Sequence, residues 1–243
     1  MEKVKERPIL FSGKMVKAIL EGRKTQTRRV VTRDNVFIDG GPAYKKLWDA
    51  LDLEKAWIDP GPSPAGNPGP YLQVPNPEME TTHRIYSKLL AVDQLWVRET
   101  FSNRRGDDSW PTSYKADEKI EDIHKEWKPS IHMPRWASRI NLLIKEIRVE
   151  RLQDITKSDA MAEGVTKKIF QGRWGEEHGY SMDWSSLGSP NKWTDKTTVE
   201  RDICLGSPQM AFANLWNKIN KKRGFGWDYN PWVWVIEFER VRP

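Results

Sequence analysis

Short apolar or alternating segments, three amphipathic helical segments and two intervening tracts rich in proline, glycine and polar residues predict a mixed α+β fold for this 243-residue chain. Residues 8–11 read as a short apolar strand. Ser12 is placed to cap a helix beginning near Gly13, where its hydroxyl meets a free amide of the first turn. Met15, Ala18 and Ile19 recur at helical spacing, and Val16 and Leu20 widen the stripe. Gly22 is expected to stop that helix in a left-handed conformation. Thr25, Thr27, Val30 and Val31 then favour an extended exit, so the basic run of residues 23–29 lies beyond a helix end.

Residues 33–80 carry "DGGPAYKK" and "DPGPSPAGNPGPYLQVPNP", a composition that predicts little regular structure and an insertion spanning approximately 33–85. "DQLWVRETF" (93–101) alternates as a strand. Charged groups on both of its faces imply that Arg98 or Glu99 meets a specific partner. "TSYKAD" (112–117) is a further short strand, and a loop over 130–137 leads into a long strand over 138–151. "TKSDAMAEGV" predicts a short helix with Thr156 as cap, Asp159 as its capping-box partner and Gly164 as the stop. Residues 166–205 read as a second insertion, a candidate lid. "SPQMAFANLWNKINKK" is an amphipathic helix carrying Met210, Phe212, Leu215, Trp216 and Ile219, and residues 232–241 form a closing strand.

The whole is expected to be one domain over residues 1–243 with those two insertions, since this length can bury a substantial core. No apolar run approaches the ~20 residues that cross a bilayer. "MEKVKERPILFSGK" lacks the long apolar stretch of a secretory signal, so a cytoplasmic location without membrane contact is expected. The single cysteine, Cys204, excludes an internal disulfide and a cysteine-based zinc site. The net charge of +6 is concentrated. Residues 1–33 hold ten Lys/Arg against three acids, a local +7 that leaves the remainder near −1. Thirteen tryptophans are expected mostly as packing, although indole rings also stack on bases.

The four histidines are scattered and none falls in a zinc-binding spacing, so no metal and no cofactor are expected. Phosphate-loop, dinucleotide and serine-hydrolase motifs are absent from the sequence. What remains is "RKTQTRR". A threonine hydroxyl becomes a useful nucleophile when a base takes its proton, and a lysine beside Arg23, Arg28 and Arg29 has its pKa pushed down by like charge. By composition alone the run fits a solvated or phosphate-contacting surface as well as an acyl-transfer site. In an ideal strand Lys24 and Thr27 point to opposite faces, so a shared site requires the chain to turn between them.

"ILFSGKMVKAILEGRKTQTRR", "LWVRETF", "PSIHMPRWASRI", "VERLQDIT", "ITKSDAMAEGV" and "GWDYNPWVWVIEFERV" together resemble the ASCH domain family of the PUA-like fold, in particular its larger phage- and prophage-encoded members. The resemblance implies a small mixed β-barrel with flanking helices and a basic cleft that holds nucleosides or nucleic acid. Small members of the family are amidohydrolases that remove the acetyl group of N4-acetylcytidine with a lysine, a threonine and a glutamate. Carried onto this sequence, Lys24 is the base, Thr27 the nucleophile and Glu163 the carboxylate that orients Lys24 or the substrate.

By the same resemblance, Arg23, Thr25, Arg28, Arg29, Arg98 and Glu99 would contact substrate or nucleic acid. Trp136 and Trp227 would stack on a base or else close the barrel. Partners would be a nucleoside or a single strand, RNA sooner than duplex DNA. One departure stands out: the family places Gly-Asp before the "LWVRET" strand, whereas this chain has Val92-Asp93. Three activities stay open at this level: an amidohydrolase, a binding module without chemistry, and a ribonuclease.

Overall fold

The computed structural model describes residues 5–59, 71–103, 112–117, 126–172, 175–181 and 207–241. In chain order the elements are β1 (Glu6–Leu10), α1 (Gly13–Leu20), β2 (Gln26–Val30), β3 (Val36–Ile38), β4 (Gly41–Pro42), α2 (Lys45–Asp49), β5 (Trp57–Asp59), β6 (Tyr71–Asn76) and β7 (Thr81–Ser87). There follow β8 (Gln94–Arg98), β9 (Phe101–Ser102), β10 (Ser113–Tyr114), β11 (Asn141–Arg151), α3 (Lys157–Ala162), β12 (Thr166–Gly172), β13 (Gly175–Ser181), α4 (Pro208–Asn220) and β14 (Trp232–Val241). The fold is α+β, mostly strands. None of its described helices is long and apolar enough to cross a membrane.

The first sheet has the order β1-β8-β11-β14-β2. Its β1–β8 pair is parallel, and the other three pairs are antiparallel. The barrel implied by the resemblance does not close among the described residues: β1 and β2 are its two edges and share no ladder. Side chains span the gap instead. Arg29 donates from Nη2 to the Leu10 carbonyl at 2.9 Å, and its guanidinium lies 5.4 Å from the Phe11 ring.

β14 is apolar on both faces because both are covered. Trp234, Ile236 and Phe238 join the core that α1 seals with Val16 and Ile19, while Val233 and Val235 join a second core beneath α4, with Phe212, Leu215 and Trp216. This accounts for the near-continuous apolar run of the closing strand. Met210 and Ile219, expected on the buried stripe of α4, are exposed, and Ala211 is buried in their stead.

The expectation of little regular structure over 33–80 is overturned. Residues 36–59 and 71–87 build a second, fully antiparallel five-stranded sheet, order β4-β3-β7-β6-β5. Val36, Ile38, Leu72, Val74 and Ile85 bury their side chains in the same core as the first sheet. The strands are short and flanked by turn residues, so composition masked them. Of the second tract, 166–205, where a lid was expected, β12 and β13 form a hairpin, and residues 182–205 lie outside the described residues.

Ser12 occupies the N-cap of α1 with extended backbone, yet its side chain makes no capping bond, contrary to expectation. Thr156 does cap α3: it accepts from the Asp159 amide, and Asp159 accepts from the Thr156 amide in return. Val92, where the resemblance leads one to expect a glycine, takes φ 73°, a conformation costly for a β-branched side chain.

Candidate active site

Two glycine-stopped helix ends build the site. At the end of α1, Gly22 adopts φ 74°; its amide donates to the Ile19 carbonyl and the Arg23 amide to the Ala18 carbonyl. This is the paired bonding that closes a helix through a left-handed residue. The Lys24 amide also donates to Ala18, so the chain doubles back and drives the Lys24 side chain inward. The end of α3 repeats the arrangement. Gly164 has φ 101°, its amide donates to Met161 and that of Val165 to Ala160, which leaves Glu163 as the C-cap residue. The two ends meet through an isolated antiparallel bridge, Lys24 with Glu163, and the Thr25 amide donates to the Ala162 carbonyl at 2.9 Å.

Lys24 is 2% exposed and Glu163 4%. The Lys24 ammonium donates to Glu163 Oε2 at 2.7 Å, to the Gln26 carbonyl at 2.7 Å and to the Glu163 carbonyl at 3.1 Å. The other carboxylate oxygen of Glu163 accepts from Arg28 Nη1 at 3.2 Å. Arg28, buried over the Phe212 ring, also pairs with Glu150 and lies 3.4 Å from Asp159. Arg148 extends the network to Asp159, Glu150 and Glu237. Burial pushes the Lys24 pKa below the ordinary lysine value; the charges of Arg29 and Arg28 push the same way, while the charge and hydrogen bond of Glu163 pull back.

A cavity of about 140 Å³ runs along the open edge of β2. Thr27, Arg28, Arg29 and Glu163 line it together with Phe212, Trp216 and Arg223. Lys24 is not itself in the lining; it meets the cavity through Glu163. Thr27 is buried, and no hydrogen bond joins its hydroxyl to another described residue. The helix stop at Gly22 and the bridge to Glu163 turn the chain ahead of β2, at Lys24 itself.

Of the residues singled out in the sequence, Lys24, Thr27, Arg28, Arg29 and Glu163 come together here. Arg23 reaches across to the Gly164 carbonyl and Thr166 at the seam of the two helix ends, and Thr25 is exposed, its backbone stitched between α3 and β14. Arg98 stacks 4.9 Å from the Trp96 ring, and its buried Nε has no hydrogen-bond partner. Glu99 is committed to Arg139, with Asp117 on the same guanidinium, and burial raises its pKa against that pull. Trp136 is exposed, and Trp227 packs edge-on against Phe212 behind the cavity. None of these last four lines the cavity. Sequence reasoning missed Glu150, Arg148 and Arg223; "KINKKRG" after α4 was the one available signal, a basic run beyond an amphipathic helix.

Comparisons with family models, with curated proteins and with solved structures return no match.

Proposed function

We propose that the protein is an amidohydrolase that removes the acyl group from an N-acylated nucleobase of the N4-acetylcytidine kind, within an ASCH-like, PUA-related fold. The observation that carries this reading is the buried Lys24–Glu163 pair, 2.7 Å between charged atoms, beside a cavity whose wall includes Thr27.

Thr27 Oγ attacks the acyl carbon. Its proton passes to Lys24, which Glu163 orients along the 2.7 Å contact. Burial of the amine makes its neutral form accessible. Collapse of the tetrahedral intermediate breaks the C–N bond, and the pair returns a proton to the departing amine. Water then hydrolyses the acyl-threonine, and the free acid leaves.

A second reading, a binding module without chemistry, is favoured by one fact: three oxygens already accept from the Lys24 ammonium, as in a structural ion pair.

The test is incubation with N4-acetylcytidine, following cytidine by chromatography. Thr27→Val, which keeps the packing volume, and Lys24→Ala are each expected to lose roughly a hundredfold or more of turnover. Turnover that survives Thr27→Val sinks the nucleophile. Absence of turnover in a folded protein that still binds the ligand leaves the binding module.

A further inference from the structure

We propose that Arg29 and Arg223 form an anion seat at the mouth of this cavity, so that its ligand is a ring carrying phosphate rather than a neutral nucleoside. The inference rests on the reading of the cavity as a base pocket.

Three arginines line the space, and their partners differ. Arg28 is consumed by Glu150, Asp159 and Glu163. Arg29 and Arg223 bond only neutral oxygens among the described residues: the Leu10 carbonyl at 2.9 Å and the Asn220 side chain at 3.2 Å. Burial and the like charge of Arg223 both work against the Arg29 cation, with the charge of Glu163 in its favour. An arginine remains charged under such conditions, so an arriving anion relieves the repulsion and gains charge-assisted hydrogen bonds.

Position separates the two ligand parts. The volume, about 140 Å³, is close to that of an engineered cavity of ~150 Å³ that holds benzene, so one ring fits and a sugar stays outside. Arg223 is exposed, beside exposed Lys221 and Lys222, whereas Arg28 and Glu163 are buried. The ring therefore enters between β2 and α4, and the phosphate that follows it meets Arg223 and Arg29. Segments nearly 200 residues apart, "TRR" and "KKR", supply one electropositive rim.

The phosphate has two sources, a free mononucleotide or a strand. Calorimetric titration with cytidine, cytidine 5′-monophosphate and a short oligocytidine without terminal phosphate separates them. We expect the monophosphate to bind at least about tenfold more tightly than cytidine, and Arg223→Ala to abolish the preference. Oligocytidine binding tighter still, with affinity falling steeply in salt, assigns the phosphate to a strand. The monophosphate alone binding assigns it to a nucleotide.

Equal affinity for cytidine and its phosphate, a preference that survives Arg223→Ala, or no binding by any of the three overturns the seat. Exposure of Arg223 makes its substitution safe for folding; Arg29→Gln repeats the test from the buried side. These titrations read ground-state affinity. A protein that holds the phosphate but hydrolyses nothing loses only the hydrolase reading, and one that hydrolyses acetylcytidine while ignoring phosphate loses only this inference.

Discussion

A buried ammonium held by a buried carboxylate leaves each partner dependent on the other. Removing one partner and stranding the other costs on the order of 3–5 kcal/mol, whereas removing both is far milder. Glu163→Ala strands Lys24 outright and weakens the hold on Arg28, so urea melts are expected to show a loss of about 3 kcal/mol; Lys24→Met combined with Glu163→Gln recovers much of it. The pH dependence has a definite sign. The folded pKa of Lys24 lies below its unfolded value near ~10.4, so between the two the unfolded chain binds the extra proton and stability rises with pH. Below the folded value both states are protonated and the contribution is flat. Wild type should therefore gain stability relative to Lys24→Met as pH climbs through that window, and an unchanged difference contradicts the buried pair. Strand periodicity could not have shown this pairing. Lys24 precedes β2, and its inward path is set by bonds to Ala18 and Glu163.

At the scale of elements, the helices and the long strands follow from local rules. Gly22 and Gly164 stop α1 and α3, the Thr156–Asp159 box starts α3, and β14 begins where its apolar run does. The second sheet was hidden for a physical reason. Its strands are two to seven residues long, and Pro75 stands inside β6, where a proline ordinarily argues against a strand. β5 covers only Tyr71–Gln73, so no strand asks for an amide donor from Pro75 on that side; its carbonyl accepts from the Asp52 amide at 2.9 Å, and the proline is tolerated. Val92 carries an avoidable strain: it is 61% exposed at φ 73°. Val92→Gly should raise stability by about 1 kcal/mol, because glycine takes this conformation freely and no buried contact is lost. Thermal denaturation that shows a loss instead would mean that the left-handed turn carries no strain.

For the whole molecule, what matters is that two sheets share one core. Ile85 of β7 is fully buried with Leu95, Leu142 and Trp234 of the first sheet. Ile85→Ala is expected to cost about 2–5 kcal/mol and to lower both sheets together, with tryptophan fluorescence and far-ultraviolet circular dichroism giving coincident transitions. Separate transitions would make the second sheet an independent unit. The local charge of residues 1–33 was legible from composition, but its meeting with Arg223 was not, since only tertiary folding brings α4 against β2.

Among the described residues β2 finds its sole ladder partner in β14, some two hundred residues further along. During synthesis, then, the segment bearing Lys24 and Thr27 waits on the ribosome side with an unsatisfied flank until residues 232–241 emerge. Any chain interrupted before that point presents a sticky, incomplete edge and no cavity.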